Sequence, residues 1–110
     1  MEFDTFSLVL LETGGADTDD MAVWDGHLAH WADAHERGEA ICFGPAPAEP
    51  VRGVCLLTVD PERARELADA DPAVVAGVFS ARVIPWRVPA GAITRIPDAH
   101  FPRTVAEARS

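Results

Sequence analysis

Three of the four histidines in this chain, His27, His30 and His35, fall within the stretch HLAHWADAHERG. Imidazole can ligate a metal, move a proton near neutral pH, or simply pack and hydrogen-bond. On a helix of about 100° per residue with Met21 at zero, an apolar stripe of Met21, Trp24, Leu28 and Trp31 centres near 320°. His35 then falls at about 320°, His27 at about 240° and His30 at about 180°. His30 therefore points away from the stripe and reads as a solvated residue. His35 lies on the buried face in the last turn, where its N–H would bond a terminal carbonyl. His27 and His35 stand about 12 Å apart along the axis, so the three cannot share one ion, and no metal or other cofactor is expected.

His27 sits at the stripe margin beside Trp24 and Trp31, partly desolvated yet able to reach a cavity edge. That position suits a neutral imidazole base whose second ring nitrogen is fixed by a carboxylate. It equally suits a hydrogen-bonded histidine at the edge of a core, and spacing alone leaves both readings open. Asp71 has the same ambiguity: Asp before Pro at a helix start is an N-cap, and Asp60-Pro61 repeats the pair with no chemistry attached. One carboxylate oxygen of Asp71 can nevertheless cap while the other orients His27, giving a base and its orienter without a nucleophile. Asp69 reads as a surface residue.

The chain contains no Lys, Tyr, Asn or Gln. Schiff-base catalysis is excluded, and negative charge developing on a substrate must meet arginine, a hydroxyl or backbone donors. Ser80 and Arg82 share one face of a late strand and are the candidates for that task. Trp24, Trp31, Phe43 and Phe79 are candidate walls of an apolar pocket, although aromatics serve cores more often than ligands.

Positioning these groups needs a fold. The 110 residues suffice for one domain, and 48% hydrophobic against 25% charged residues places the chain among folded globular proteins. A formal net charge of −9 repels phosphate backbones and anionic lipid, so neither nucleic acid nor membrane is an expected partner. FSLVLL is too short to span a bilayer and no basic segment precedes it, which points to the cytoplasm. Cys42 and Cys55 lack a CxxC spacing and read as buried reduced thiols that would face each other if Gly44 paired with Gly53.

FDTFSLVLLET alternates with the period of a half-buried strand, and Asp19 and Asp20 then open a helix over residues 19 to 37 that Gly38 ends. EAICFGP is a short second strand stopped at Gly44-Pro45, followed by a loop, and GVCLLTV is a third strand. DPERARELADA is a second helix, DPAVVAG a further helical turn, and VFSARVIPWRV a fourth strand in which Pro85 marks an edge or bulge. The order β-α-β-β-α-(α)-β specifies an α+β fold of ferredoxin-like, split-βαβ type, with an antiparallel sheet carrying its helices on one face. The domain occupies residues 1 to 90. The tail from 91 to 110 is weakly patterned, with Ile93, Ile96 and Phe101 apolar enough to pack on a partner. A second copy of the sheet would cover the bare face, so a homodimer enclosing a pocket is expected.

The ordered set HL, a glycine eleven residues after that histidine, a Gly-Pro turn in CFGP, and ADADPAVVAG leading into a strand ending IPW resembles the YCII-related (YciI-like) family over about residues 3 to 88. The resemblance implies a dimeric α+β barrel with an active site on His27 and Asp71, and some relatives act as small lyases, including halide elimination from chlorinated rings. The short connection after Gly44-Pro45 and the long tail depart from the family pattern, so substrate class does not carry over. The expected function is a small cofactor-independent lyase or isomerase acting by proton abstraction on a small carbonyl or ring compound. The alternative is a non-catalytic dimer that binds a small molecule or serves as a scaffold.

Overall fold

A computed structural model of the chain describes residues 1–95 and 99–110; Ile96, one of the tail's apolar positions, lies outside them. The elements are β1 (Phe3–Thr13), α1 (Met21–Glu36), β2 (Ala40–Ala48), β3 (Val51–Leu57), α2 (Pro61–Asp69), α3 (Pro72–Val75), β4 (Phe79–Pro89) and α4 (Val105–Arg109). The strands form one antiparallel sheet in the order β2-β3-β1-β4, the ferredoxin-like arrangement. Pro85 is accommodated because β4 is an edge strand, where a missing N–H leaves no ladder bond broken. Among the described residues no helix is long and apolar enough to cross a membrane.

Each helix starts where the sequence supplies an oxygen to its open amides. Asp20 accepts from Ala22, Asp60 from Arg63 and Asp71 from Ala73, all at 2.8–2.9 Å. Gly38 (φ 81°) and Gly77 (φ 77°) supply the left-handed residues that follow α1 and α3. Side chains of Val9, Leu11, Cys55, Leu57 and Phe79 on one sheet face meet Trp31 and Ala34 of α1 and Ala64, Leu67 and Ala68 of α2, forming the main core. The other sheet face carries a smaller cluster of Phe6, Ile41 and Val88, against which Leu56 and Ile93 pack.

Four expectations need correction. β2 does not stop at Gly44-Pro45 but runs to Ala48, since an edge strand tolerates both residues, and only Glu49 and Pro50 separate it from β3. Pro45, not Gly44, then pairs with Gly53, so Cys55 lies opposite Phe43 and the cysteines do not face each other. Cys42 is exposed rather than buried, while Cys55 is buried and both are free. The third strand begins two residues earlier than expected, at Val51.

The tail carries a short helix, α4, capped by Thr104, and it packs on its own chain. Phe101 stacks on Phe43 (centroids 4.4 Å apart) and stands edge-on to His35 at 4.6 Å. Arg103 reaches Asp33 and Glu36, and the Val105 amide donates to Asp25, so α4 is latched along α1.

The junction after α1 is held by Glu39, which accepts from Arg63 Nε (2.7 Å) and Arg37 Nε (2.8 Å). Those hydrogen bonds lower its pKa from 4.5 to about 2. A carboxyl whose folded-state pKa is depressed stabilises the fold above its unfolded value, and the contribution disappears as pH falls from about 4.5 through about 2. Both arginines are about half exposed, so screening leaves about 1 kcal/mol of stabilisation at neutral pH. Urea unfolding of Glu39→Gln is expected to show that deficit at neutral pH and to converge with the parent near pH 2; a constant gap would mean the carboxylate is not its source.

Candidate active site

The site is assembled by a close approach between α1 and α3. At Gly26 a Cβ would lie 3.0 Å from Pro72, and the bare backbone there lets the start of α3 settle against α1 one residue from His27. The approach brings Asp71, fully buried, onto His27: Nδ1 lies 2.8 Å from Oδ2 and 3.0 Å from Oδ1. Oδ2 also accepts from Trp31 Nε1 at 2.8 Å, and Oδ1 caps α3 by accepting from the Ala73 amide at 2.9 Å. Asp71 is thus both cap and orienter, a carboxylate surrounded by donors.

Because Asp71 offers acceptors, the hydrogen sits on Nδ1 of His27 and the lone pair of the neutral ring on Nε2. Nε2 has no protein partner among the described residues and is not sealed from solvent, since His35 Nε2 is the only ring nitrogen buried without one. His27 lines a cavity of about 600 Å³. Its ring is wedged between Trp24 (6.1 Å) and Phe79 (5.6 Å), both edge-on, which fixes its plane.

The α1 stripe forms the wall of this cavity. Met21 is exposed and Trp24 and Leu28 are half-buried, because the first turns of the helix overhang the cavity while Trp31 continues into the core. Phe43 and Phe79 line it from the sheet, and Phe101, Val105 and Ala108 of the tail roof it. Cys55 also lies on its wall, but burial first, then the nearby Asp71 charge and Cys42, pushes its thiol well up, so it remains protonated and is no nucleophile.

Of the residues singled out by sequence, His27, Asp71, Trp24, Trp31 and Phe43 are brought together here. Ser80 and Arg82 are not. They alternate with Phe79 and Ala81 and so occupy the opposite sheet face, where Arg82 Nε lies 3.5 Å from Glu12. His30 is not a free solvated group: it bonds the Leu67 carbonyl at 2.7 Å and stands edge-on to Trp31. A helical wheel sees only the sheet as cover, whereas His30 lies on the side of α1 where α2 supplies that carbonyl. His35 is buried as expected, but its Nδ1 bonds the Ala40 carbonyl at the start of β2, at 2.8 Å, and not a carbonyl at the end of α1. Asp69 is exposed and paired with Arg65. Arg52 and the tail are the cavity components that sequence did not single out. Among the described residues no three His, Cys, Asp or Glu side chains cluster to hold a metal ion.

No family model matches the chain, and neither does any curated protein. Among solved structures it is similar to 5-chloro-2-hydroxyhydroquinone dehydrochlorinase from Burkholderia phenoliruptrix in complex with 2,5-dihydroxybenzoquinone, with a TM-score of 0.51 and 16% identity over 74% of this chain and 92% of that one. At that identity the likeness is one of fold, and it joins the strand order in placing this chain among ferredoxin-like α+β proteins.

Proposed function

We propose that the chain is a small enzyme, a lyase or isomerase of YCII-related type, in which His27 takes a proton from a small carbonyl or ring compound. The observation that carries this reading is the His27–Asp71 contact of 2.8 Å at the wall of an open, largely apolar cavity. Nε2 removes the proton from a carbon next to a carbonyl or on an electron-poor ring, and Asp71 stabilises the imidazolium that forms. In elimination, the carbon–hydrogen electron pair expels a leaving group and His27 later loses its proton to water. In isomerisation, the same proton returns to another carbon. No cofactor enters this scheme, and neither nucleic acid nor membrane is a partner in it.

The neighbouring fold supports the same class of reaction, since that protein is a dehydrochlorinase with a dihydroxyquinone bound. The first assay is therefore chloride release from chlorinated hydroxyhydroquinones, alongside solvent-deuterium exchange into small cyclic ketones. Turnover that requires His27 is the expected result, and turnover that survives His27→Ala would remove the proposed base.

The partner in this reading is a second copy of the chain laid over the open sheet face, where Leu8, Leu10, Leu56 and Ile84 are only half-buried and Trp86 is exposed. Light scattering at micromolar concentration is expected to return twice the 11.8 kDa chain mass; the monomer mass would exclude the homodimer. Two free cysteines agree with a reducing, cytoplasmic setting, which cell fractionation would check.

A further inference from the structure

We infer that Arg52 selects the substrate by binding an anionic oxygen, carboxylate or phenolate, carried on a planar apolar ring. The inference rests on the reading of His27 as the base and adds the class of molecule that the base meets.

In β3, VRGVCLL, simple alternation groups Arg52 with Val54 and Leu56 on the sheet face away from the helices. The pairing with β1 interrupts that alternation: Leu11 pairs with Gly53 and Glu12 with Val51, leaving Arg52 as the extra residue of a β-bulge. A bulge re-aims a side chain, and here it carries the guanidinium to the cavity side. Arg52 lines the cavity, with its guanidinium carbon 5.7 Å from the centroid of Phe79. His27 packs on that same ring at 5.6 Å. The base and the cation are therefore separated by little more than one aromatic ring and its contacts, the scale of a small cyclic substrate.

The guanidinium also retains binding capacity. Its ion pair with Glu49 spans 3.6 Å between side chains 42% and 66% exposed, and the Thr13 hydroxyl bonds the other Glu49 oxygen. A pair that long and that solvated holds Arg52 weakly. Arg109 of α4 adds a second positive charge to the lining, which also includes the carboxylate of Asp19. On a chain of net charge −9, a cavity with two arginines is where an anion is drawn. Leu11, Trp24, Leu28 and Phe43 offer the rest of the molecule an apolar enclosure. Arginine holds an oxyanion through paired, charge-assisted hydrogen bonds.

Titration calorimetry with the intact protein at low ionic strength tests this with three probes: 2,5-dihydroxybenzoate, its uncharged methyl ester, and 2,5-dihydroxybenzoquinone, whose enols are ionised at neutral pH. The expected result is binding of at least one anion about tenfold or more tighter than the ester. Arg52→Met, which keeps an unbranched stem on Phe79, should abolish the difference, and Arg52→Lys should restore part of it. Dependence on Arg52 for the benzoate identifies a carboxylate, and for the quinone alone an enolate or phenolate. Equal binding of ester and anions, a preference unchanged in a folded Arg52→Met, or no binding of either anion at millimolar concentration would overturn the inference. The preference is an equilibrium ratio read without turnover. It survives if His27 proves not to be a base, and the base reading survives if the preference is absent.

Discussion

His27→Ala is expected to lower turnover about 10²- to 10⁴-fold while leaving the fold intact, the range spanned by removal of a general base. Its ring is near the surface of the core, with a side chain 16% exposed, and truncation leaves Asp71 with two other donors, Trp31 Nε1 and the Ala73 amide. The carboxylate is not orphaned, so the stability loss should stay near that of an ordinary partly buried contact, about 1 kcal/mol. KM should change little if Arg52, Phe43 and the tail provide most of the ground-state binding, so the loss appears in kcat and kcat/KM alike. Added imidazole offers a sharper readout: the cavity left by the ring opens beside the main cavity, and a small exogenous base entering it should recover part of the rate. Loss of rate with no rescue and a large fall in Tm would instead mark His27 as a packing residue.

The dyad and the roof of the cavity differ in how far they were legible in the sequence. His27 and Asp71 declared themselves because both sit at helix positions with strong local rules: a stripe margin in α1 and an Asp-Pro start in α3. What brings them together is less visible, since it depends on Gly26, a residue that in a one-dimensional pattern looks only like a weak helix former. Ser80 and Arg82 were misplaced for one reason and Arg52 was missed for another. Period-two counting assigns faces reliably within a strand but not which face holds the site, and a bulge breaks the count altogether. His30 illustrates a related limit, because a helical wheel knows one partner surface and α1 has two. The tail gave no periodic signal; its order comes from tertiary partners, Phe101 between Phe43 and His35 and Arg103 on Asp33, that a local window cannot see.

Asp71→Asn should have the other large effect, for a reason the pattern of donors makes specific. In the native site one oxygen takes the Ala73 amide and the other takes both Trp31 Nε1 and His27 Nδ1. An asparagine has a single acceptor oxygen for those two tasks. If that oxygen keeps the cap, the new NH₂ group faces the Trp31 N–H, donor against donor, and His27 can pair with it only by moving its own hydrogen from Nδ1 to Nε2. If the amide turns over, the indole and imidazole are served but the cap of α3 is lost. The first arrangement leaves Nε2 protonated on the neutral ring, with no lone pair toward the cavity, and in Ser-His-Asp sites the equivalent change reduces kcat about 10⁴-fold. A kcat loss of about 10²- to 10⁴-fold is expected here. It should be accompanied by a stability loss of about 2 to 4 kcal/mol from an unsatisfied buried donor or a lost cap, a fall in Tm of about 10 to 20 °C. Nitrogen-15 NMR of the His27 ring separates orientation from mere support: the hydrogen should reside on Nδ1 in the parent and shift to Nε2 in the variant. An unchanged tautomer with kcat within threefold of the parent would reduce Asp71 to a helix cap that happens to touch a histidine.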